Sequence, residues 1–276
     1  MKASGHRFFG MLPARILLLI CGISFASAGS RTVDLDSLFG GVQGAFVLYD
    51  TLTHEYTRYH PEICATRESP CSTFKIPNSL IALETGVAPD AEFFLPWDSI
   101  QVPRQAWWPA AWARGNTLRS AIRHSVVWYY QEIARRIGPE RYRASLAAFD
   151  YGNQDISSGV DNFWLGRSLM ISPDEQVAFL RKWYEGLPGI SDRSAAIVRD
   201  ILLLETASTF ALGGKTGTGN LSDGRNIGWF VGFVELKHTV RVFALFLESQ
   251  KAIMSPSDRT AFAKRILEHL HALQDE

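Results

Sequence analysis

Apolar positions change rhythm along the chain, with two-residue alternation and short apolar runs near both ends and three-to-four-residue spacing between them. Residues 44–49 and 55–60 read as a β-hairpin around Asp50-Thr51-Leu52-Thr53. Residues 72–85, ended by Gly86, predict a helix with an apolar face. Pro77 is awkward there, because a proline beyond the first turn removes a backbone bond and crowds the preceding carbonyl. Residues 125–137, closed by Gly138-Pro139, predict a second helix with Val127, Tyr130, Ala134 and Ile137 on one stripe. Ser172-Pro173-Asp174-Glu175 is a capping box that starts a third, running to Gly186, and residues 191–205 predict a fourth. Strands return at 209–216, 226–235 and 239–247, and a last helix covers 257–273. This order predicts an α+β fold in which a central antiparallel sheet from N- and C-terminal strands is flanked by helices. A mostly helical subdomain between them would leave a cleft against the sheet.

The first 28 residues break the pattern. Lys2, Arg7 and Arg15 precede an apolar run over 16–25, and Ala26-Ser27-Ala28 supplies a small-residue cleavage site. This predicts a secretory signal peptide (1–28) followed by a single catalytic domain (29–276). The run is about half of the ~20 residues a membrane span needs, so an exported protein with no stable membrane insertion is expected, periplasmic if the source is Gram-negative. The chain is 46% hydrophobic and 20% charged, which excludes a disordered chain. Cleavage removes three basic residues and no acidic one from a chain holding 28 of each, and no basic run remains to suggest nucleic acid as a partner. It also removes Cys21. Compartment and even count predict a disulfide between Cys64 and Cys71, with two buried free thiols as the alternative. Phe93, Phe94, Trp97, Trp107, Trp108 and Trp112 lie in a proline-punctuated stretch that reads as a small local core, or else as a substrate platform.

Ser72-Thr73-Phe74-Lys75 is the only serine with a lysine three residues on, and at helical spacing it places a nucleophile beside a base. Competing chemistries fail on spacing. Gly214-Lys215-Thr216 resembles the end of a phosphate-binding loop, but position 209 is threonine where glycine is required. Gly-x-Ser-x-Gly and His-Glu-x-x-His are absent, so neither a nucleophile elbow nor a metal site is expected.

Distant motifs agree with the first: Ser125-Val126-Val127, Tyr151-Gly152-Asn153, Lys215-Thr216-Gly217 and Trp229-Phe230-Val231-Gly232. Ser-x-x-Lys with Lys-Thr-Gly is shared by penicillin-binding proteins and serine β-lactamases. The five motifs in this order closely resemble the class D β-lactamases, or oxacillinases. The similarity extends through residues 45–50, Trp97-Asp98, Phe163-Trp164-Leu165 and Ile171-Ser172.

The resemblance implies hydrolysis of the β-lactam ring through a serine acyl-enzyme, giving antibiotic resistance. Ser72 would be the nucleophile and Lys75 its base, carboxylated on the side-chain nitrogen by CO2 or bicarbonate, with no other cofactor. Phe74, Val127 and Trp164 would form the carbamate pocket. Ser125 would relay a proton to the departing nitrogen, and Lys215 would set the electrostatics. The backbone amides of Ser72 and Thr218 would bind the oxyanion, with Gly217 allowing close approach of the strand edge. Thr216 and Arg259 would hold the substrate carboxylate, with Arg225 competing for that role. Tyr151, Gly152 and Asn153 would support the site. The alternatives are a penicillin-binding D,D-peptidase, which typically has Ser-x-Asn where this chain has Ser-x-Val, and a β-lactam sensor domain. Both acylate without turnover. Substrate spectrum and oligomeric state are not legible in the sequence.

Overall fold

A computed structural model describes Met1 and residues 29–275, so the predicted signal peptide lies outside the described residues beyond Met1. The chain begins with β1 (Gly29–Thr32), α1 (Asp36–Phe39) and the expected hairpin of β2 (Gln43–Asp50) and β3 (Glu55–Tyr59). The Asp50 carboxylate closes that turn by accepting from the amides of Leu52 at 2.8 Å and Thr53 at 3.3 Å. After α2 (Pro61–Cys64), a 3₁₀ turn over Cys71–Phe74 leads into α3 (Lys75–Glu84). The predicted helix over 72–85 is therefore two pieces. Since α-helical geometry starts only at Lys75, Pro77 falls in the first turn, where a missing N–H leaves least unsatisfied.

A two-stranded ladder of β4 (Phe94–Leu95) and β5 (Asn116–Thr117) precedes α4 (Leu118–Arg123), α5 (Val127–Ile137) and α6 (Pro139–Phe149). Helix α5 starts at Val127 rather than Ser125, because Ser125 has φ +57°, which no right-handed helix continues through. Helix α7 (Pro173–Gly186) has the predicted capping box: Ser172 Oγ accepts from the Glu175 amide at 3.2 Å, and Glu175 Oε2 accepts from the Ser172 amide at 2.9 Å. Helix α8 (Asp192–Leu202) is shorter than predicted, because the next residues leave it as strand β6 (Leu203–Thr206) to pair with β7 (Ala211–Asn220). Strands β8 (Asn226–Glu235) and β9 (Val240–Ser249) and helix α9 (Pro256–His269) complete the chain.

The main sheet has seven strands in the order β1-β3-β2-β9-β8-β7-β6. Neighbours are antiparallel except β1, which runs parallel to β3 at the outer edge. Residues 227–234 of β8 are buried without interruption because both faces of the sheet are covered. Phe230 and Val234 join Phe39, Phe262 and Ile266 in the core beneath α1 and α9. Trp229, Val231 and Phe233 join the larger core, which also holds buried residues of α3 to α8.

Cys64 and Cys71 are free buried thiols, which overturns the predicted disulfide. Each addresses a different element. Cys64 Sγ donates to the Tyr59 carbonyl at 3.3 Å, behind the hairpin, whereas Cys71 Sγ donates to Ser69 Oγ at 3.7 Å, beside Gly219 of β7.

Candidate active site

The 3₁₀ turn leaves Ser72 half-buried and Lys75 fully buried, and the i, i+3 spacing brings Lys75 Nζ to donate to Ser72 Oγ at 2.9 Å. Burial, and then the positive charge of Lys215, push the Lys75 amine well below the usual lysine range. The amine lies 5.2 Å from the centroid of the Tyr130 ring. Beneath it, Ser79 Oγ donates to the Lys75 carbonyl at 2.7 Å and shares a 2.8 Å bond with Tyr130 Oη, while Tyr142 Oη donates to Asn78 Oδ1 at 2.8 Å. These supports were missed in the sequence. The only available signal was the i, i+4 spacing of Ser79 from Lys75.

Phe74 stacks on Trp164 with centroids 5.4 Å apart and interplanar angle 23°, and packs edge-on to Phe163 at 4.9 Å. Trp164 rides on a loop closed by Tyr151-Gly152-Asn153. Asn153 Oδ1 accepts from the Met170 amide at 2.9 Å, and Asn153 Nδ2 donates to the Ser168 carbonyl at 2.8 Å. Gly152 has φ +56°, and a Cβ there would lie 2.1 Å from the Met170 carbonyl oxygen, so no other residue fits this turn. Ser69 Oγ ties the far end by donating to the Trp164 carbonyl at 3.1 Å and accepting from the Gly166 amide at 2.9 Å. Trp164 Nε1 is buried without a hydrogen-bond acceptor among the described residues. An indole donor orphaned in a core is costly and marks a place where an acceptor belongs.

Strand β7 forms the opposite wall. Strand β6 pairs with it only from Ala211 to Gly213, so its outer edge beyond that point meets the serine-bearing turn instead of a strand. Gly217 permits this approach, since a Cβ there would lie 3.0 Å from the Pro70 carbonyl oxygen and 3.1 Å from Thr73 Cγ2. Lys215 is buried and donates to the Thr216 carbonyl at 2.8 Å. Burial, and then the nearby Arg259 cation, push it down to about 7. Arg259 is itself fully buried, donating from Nη2 to Thr218 Oγ1 at 2.6 Å and from Nη1 to the Met254 carbonyl at 2.7 Å. Among the described residues, no carboxylate is among the charges acting on Lys75, Lys215 or Arg259. Arg225, by contrast, is paired with Glu68 at 2.8 Å, Asp223 at 2.8 Å and Glu248 at 2.7 Å.

Ser125 occupies the turn between α4 and α5, half-buried and left-handed at a cost of about 1–3 kcal/mol. Ile122 and Arg123, just before it, line a cavity of about 300 Å³ together with Lys215 and Thr216, so this turn and β7 border one space. Two buried basic groups, Lys215 and Arg259, beside a serine and lysine in hydrogen-bond contact make a site for an anionic substrate that acylates a hydroxyl.

Residues 44–268 match the family described as the penicillin-binding protein transpeptidase domain. Beta-lactamase OXA-48 of Klebsiella pneumoniae is 43% identical over 202 residues, covering 72% of each chain. The chain belongs to the class D β-lactamases. A solved class D β-lactamase from Sebaldella termitidis superimposes with a TM-score of 0.83 at 32% identity, covering 91% of this chain and 100% of that one. Regulatory protein BlaR1 of Bacillus licheniformis is 35% identical over 208 residues, covering 75% of this chain and 34% of that longer protein.

In this class D β-lactamase, the site residues named from sequence other than Ser125, Lys215 and Arg225 divide into three groups. Ser72 and Lys75 share a hydrogen bond, and Phe74, between them in the chain, stacks on Trp164. Thr216, Gly217, Thr218 and Arg259 line or anchor the edge of β7 beside it. Val127 is partly buried in the first turn of α5, which packs on α3, and Tyr151, Gly152 and Asn153 shape the loop behind.

Proposed function

We propose that this protein opens the β-lactam ring of penicillin-type antibiotics by acylating Ser72 and then hydrolyses the ester, with Lys75 carboxylated on its side-chain nitrogen. One observation carries the reading. The Lys75 amine is buried, favoured as the neutral form that reacts with CO2, and 2.9 Å from Ser72 Oγ, while the neighbouring Trp164 indole lacks an acceptor. The pocket thus fits the group: its apolar walls suit the reacting amine, and Trp164 Nε1 has a donor to spare for the carboxylate. When bound, that carboxylate supplies an oxygen base close to Ser72 and to the acyl-enzyme.

Ser72 attacks the lactam carbonyl after losing its proton, and Ser125 passes a proton to the departing nitrogen. The amides of Ser72 and Thr218 receive the oxyanion, at the edge that Gly217 keeps close to the turn. Arg259 and Thr216 hold the substrate carboxylate, since Arg259 carries a buried cation without an acidic partner whereas Arg225 already has three. The substrates are small β-lactams, and the N-terminal segment directs export, to the periplasm in a Gram-negative cell. Antibiotic resistance is the expected consequence.

The match to BlaR1, named a regulatory protein, favours a second reading as a receptor that acylates once. Mixing the purified protein with benzylpenicillin separates the two. Hydrolysis of many equivalents, lost on depletion of bicarbonate and restored on its return, is expected. A single stoichiometric acylation without turnover would sink the hydrolase reading in favour of a sensor or D,D-peptidase.

A further inference from the structure

Ser125 sits in a left-handed turn whose own backbone bonds are few: its amide reaches the Ile122 carbonyl at 3.2 Å, and the Val126 amide reaches Ala121 at 2.9 Å. Two indoles reinforce it from outside. Trp112 Nε1 donates to the carbonyl of His124, the residue before Ser125, at 2.8 Å. Trp128 Nε1, three residues after Ser125, donates to the carbonyl of Trp112 at 2.8 Å. Trp112 is thereby bonded to both flanks of the serine, through its side chain on one and its backbone on the other. The indoles are 7% and 5% exposed, so neither bond is readily replaced by one to water.

The segment carrying Trp112 is itself tied down. Asn116 Nδ2 donates to the carbonyls of Ala111 and Arg114, both at 2.9 Å, and its Oδ1 accepts from Ser120 Oγ at 2.9 Å on α4. Trp112 packs edge-on against Trp107 and Trp108, each at 5.5 Å, and Trp107 is 70% exposed. The aromatic stretch is therefore a small core with one open end, and its inner end reaches the Ser125 turn.

We propose that Trp112 and Trp128 are positioning residues for Ser125: the Trp112 indole N–H fixes the His124 carbonyl before the serine, the Trp128 indole N–H ties the helix after it to the Trp112 carbonyl, and together they aim the Ser125 hydroxyl at the departing lactam nitrogen. Neither indole touches the reacting atoms. The inference rests on Ser125 acting as the proton relay in ring opening. It requires that loss of either donor slow that step selectively, because Ser125 is needed when the nitrogen leaves and Lys75 when water attacks.

The test uses Trp112→Phe, which keeps an aromatic ring in the cluster and removes the donor, with Trp128→Phe as the second variant if the first folds poorly. Acylation by benzylpenicillin and decay of the acyl-enzyme are timed separately, in the wild-type and Ser125→Ala backgrounds. In the wild-type background, acylation should slow about 10- to 100-fold, the scale of a misplaced reacting group, with decay unchanged within about twofold. In the Ser125→Ala background, the same substitution should change acylation by less than about twofold, since its effect passes through the missing hydroxyl. An equal loss in both backgrounds, an equal slowing of both steps, or no slowing of acylation would overturn the proposal. If the unmodified protein acylates without turnover, the hydrolase reading fails, yet the acylation rates still decide the role of Trp112.

Discussion

Lys75 and Lys215 lie on opposite walls of one cleft, and both are buried without an acidic partner among the described residues, but the structure treats their charge differently. Lys75 opens a helix in an aromatic setting, with Tyr130 beside the amine and Phe74 stacked on Trp164. Lys215 lies mid-strand at the cleft edge and is held to about 7 by burial and by Arg259. The first environment selects an uncharged, reactive amine. The second keeps a proton within reach near neutrality, so an arriving carboxylate would stabilise the charged form. The stability consequence has a definite sign. An unfolded lysine keeps its proton to about 10.4. Folded Lys215 releases it above about 7, so the unfolded chain binds more protons in between. Stability from this residue rises with pH across that window, and the penalty is full below it.

Removing Lys75 breaks the comparison most severely. Lys75→Ala should lower turnover of benzylpenicillin about 10²- to 10⁴-fold, the range for loss of a general base, with added bicarbonate giving no recovery. Steady-state hydrolysis checks this, and turnover that survives the substitution removes Lys75 from the base role.

Arg259 sharpens the other wall. Losing charge-assisted bonds to a carboxylate costs about 1.5–3 kcal/mol, so Arg259→Ala should raise KM about 10- to 100-fold with a smaller change in kcat. It also removes a cation that lowers Lys215, so the limb on which kcat/KM falls as Lys215 deprotonates should move above about 7. Arg225→Ala should leave KM within about twofold, because that guanidinium is already held by Glu68, Asp223 and Glu248. Kinetics of both variants across pH settle the matter; a KM effect confined to Arg225 would reverse the assignment of the carboxylate site.

What was legible in the sequence follows from how local each signal is. The capping box at Ser172 and the hairpin closed by Asp50 are determined within a few residues, and both formed as read. The pairing of Ser72 with Lys75 needed only one helical turn. The choice of Arg259 over Arg225 was out of reach, because it depends on Glu68 and Glu248, from distant segments, joining the local Asp223 on Arg225. The start of α5 was misplaced for a related reason: only the folded turn, braced by Trp112 and Trp128, puts Ser125 in a left-handed conformation. Helix α6 was missed because Gly138-Pro139 read as a stop, whereas Pro139 opens a new helix at its first position.

The smallest effect concerns the two thiols, where the even cysteine count misled. A disulfide over so short a loop would have stiffened the entry to Ser72 and stabilised the fold by about 2–4 kcal/mol. Instead, the Cys64 thiol is turned toward the Tyr59 carbonyl and the Cys71 thiol toward Ser69. Burial pushes Cys64 up to about 12 and Cys71 up to about 11, so both stay protonated at neutral pH and react slowly with disulfides or oxidants. A strong reductant should therefore leave Tm and turnover of the protein spanning 29–276 unchanged. Thiol titration should find both cysteines free, slowly in the folded protein and at once in denaturant. A fall in Tm of several degrees on reduction would mean that the chain closes a bridge the two thiol environments do not favour.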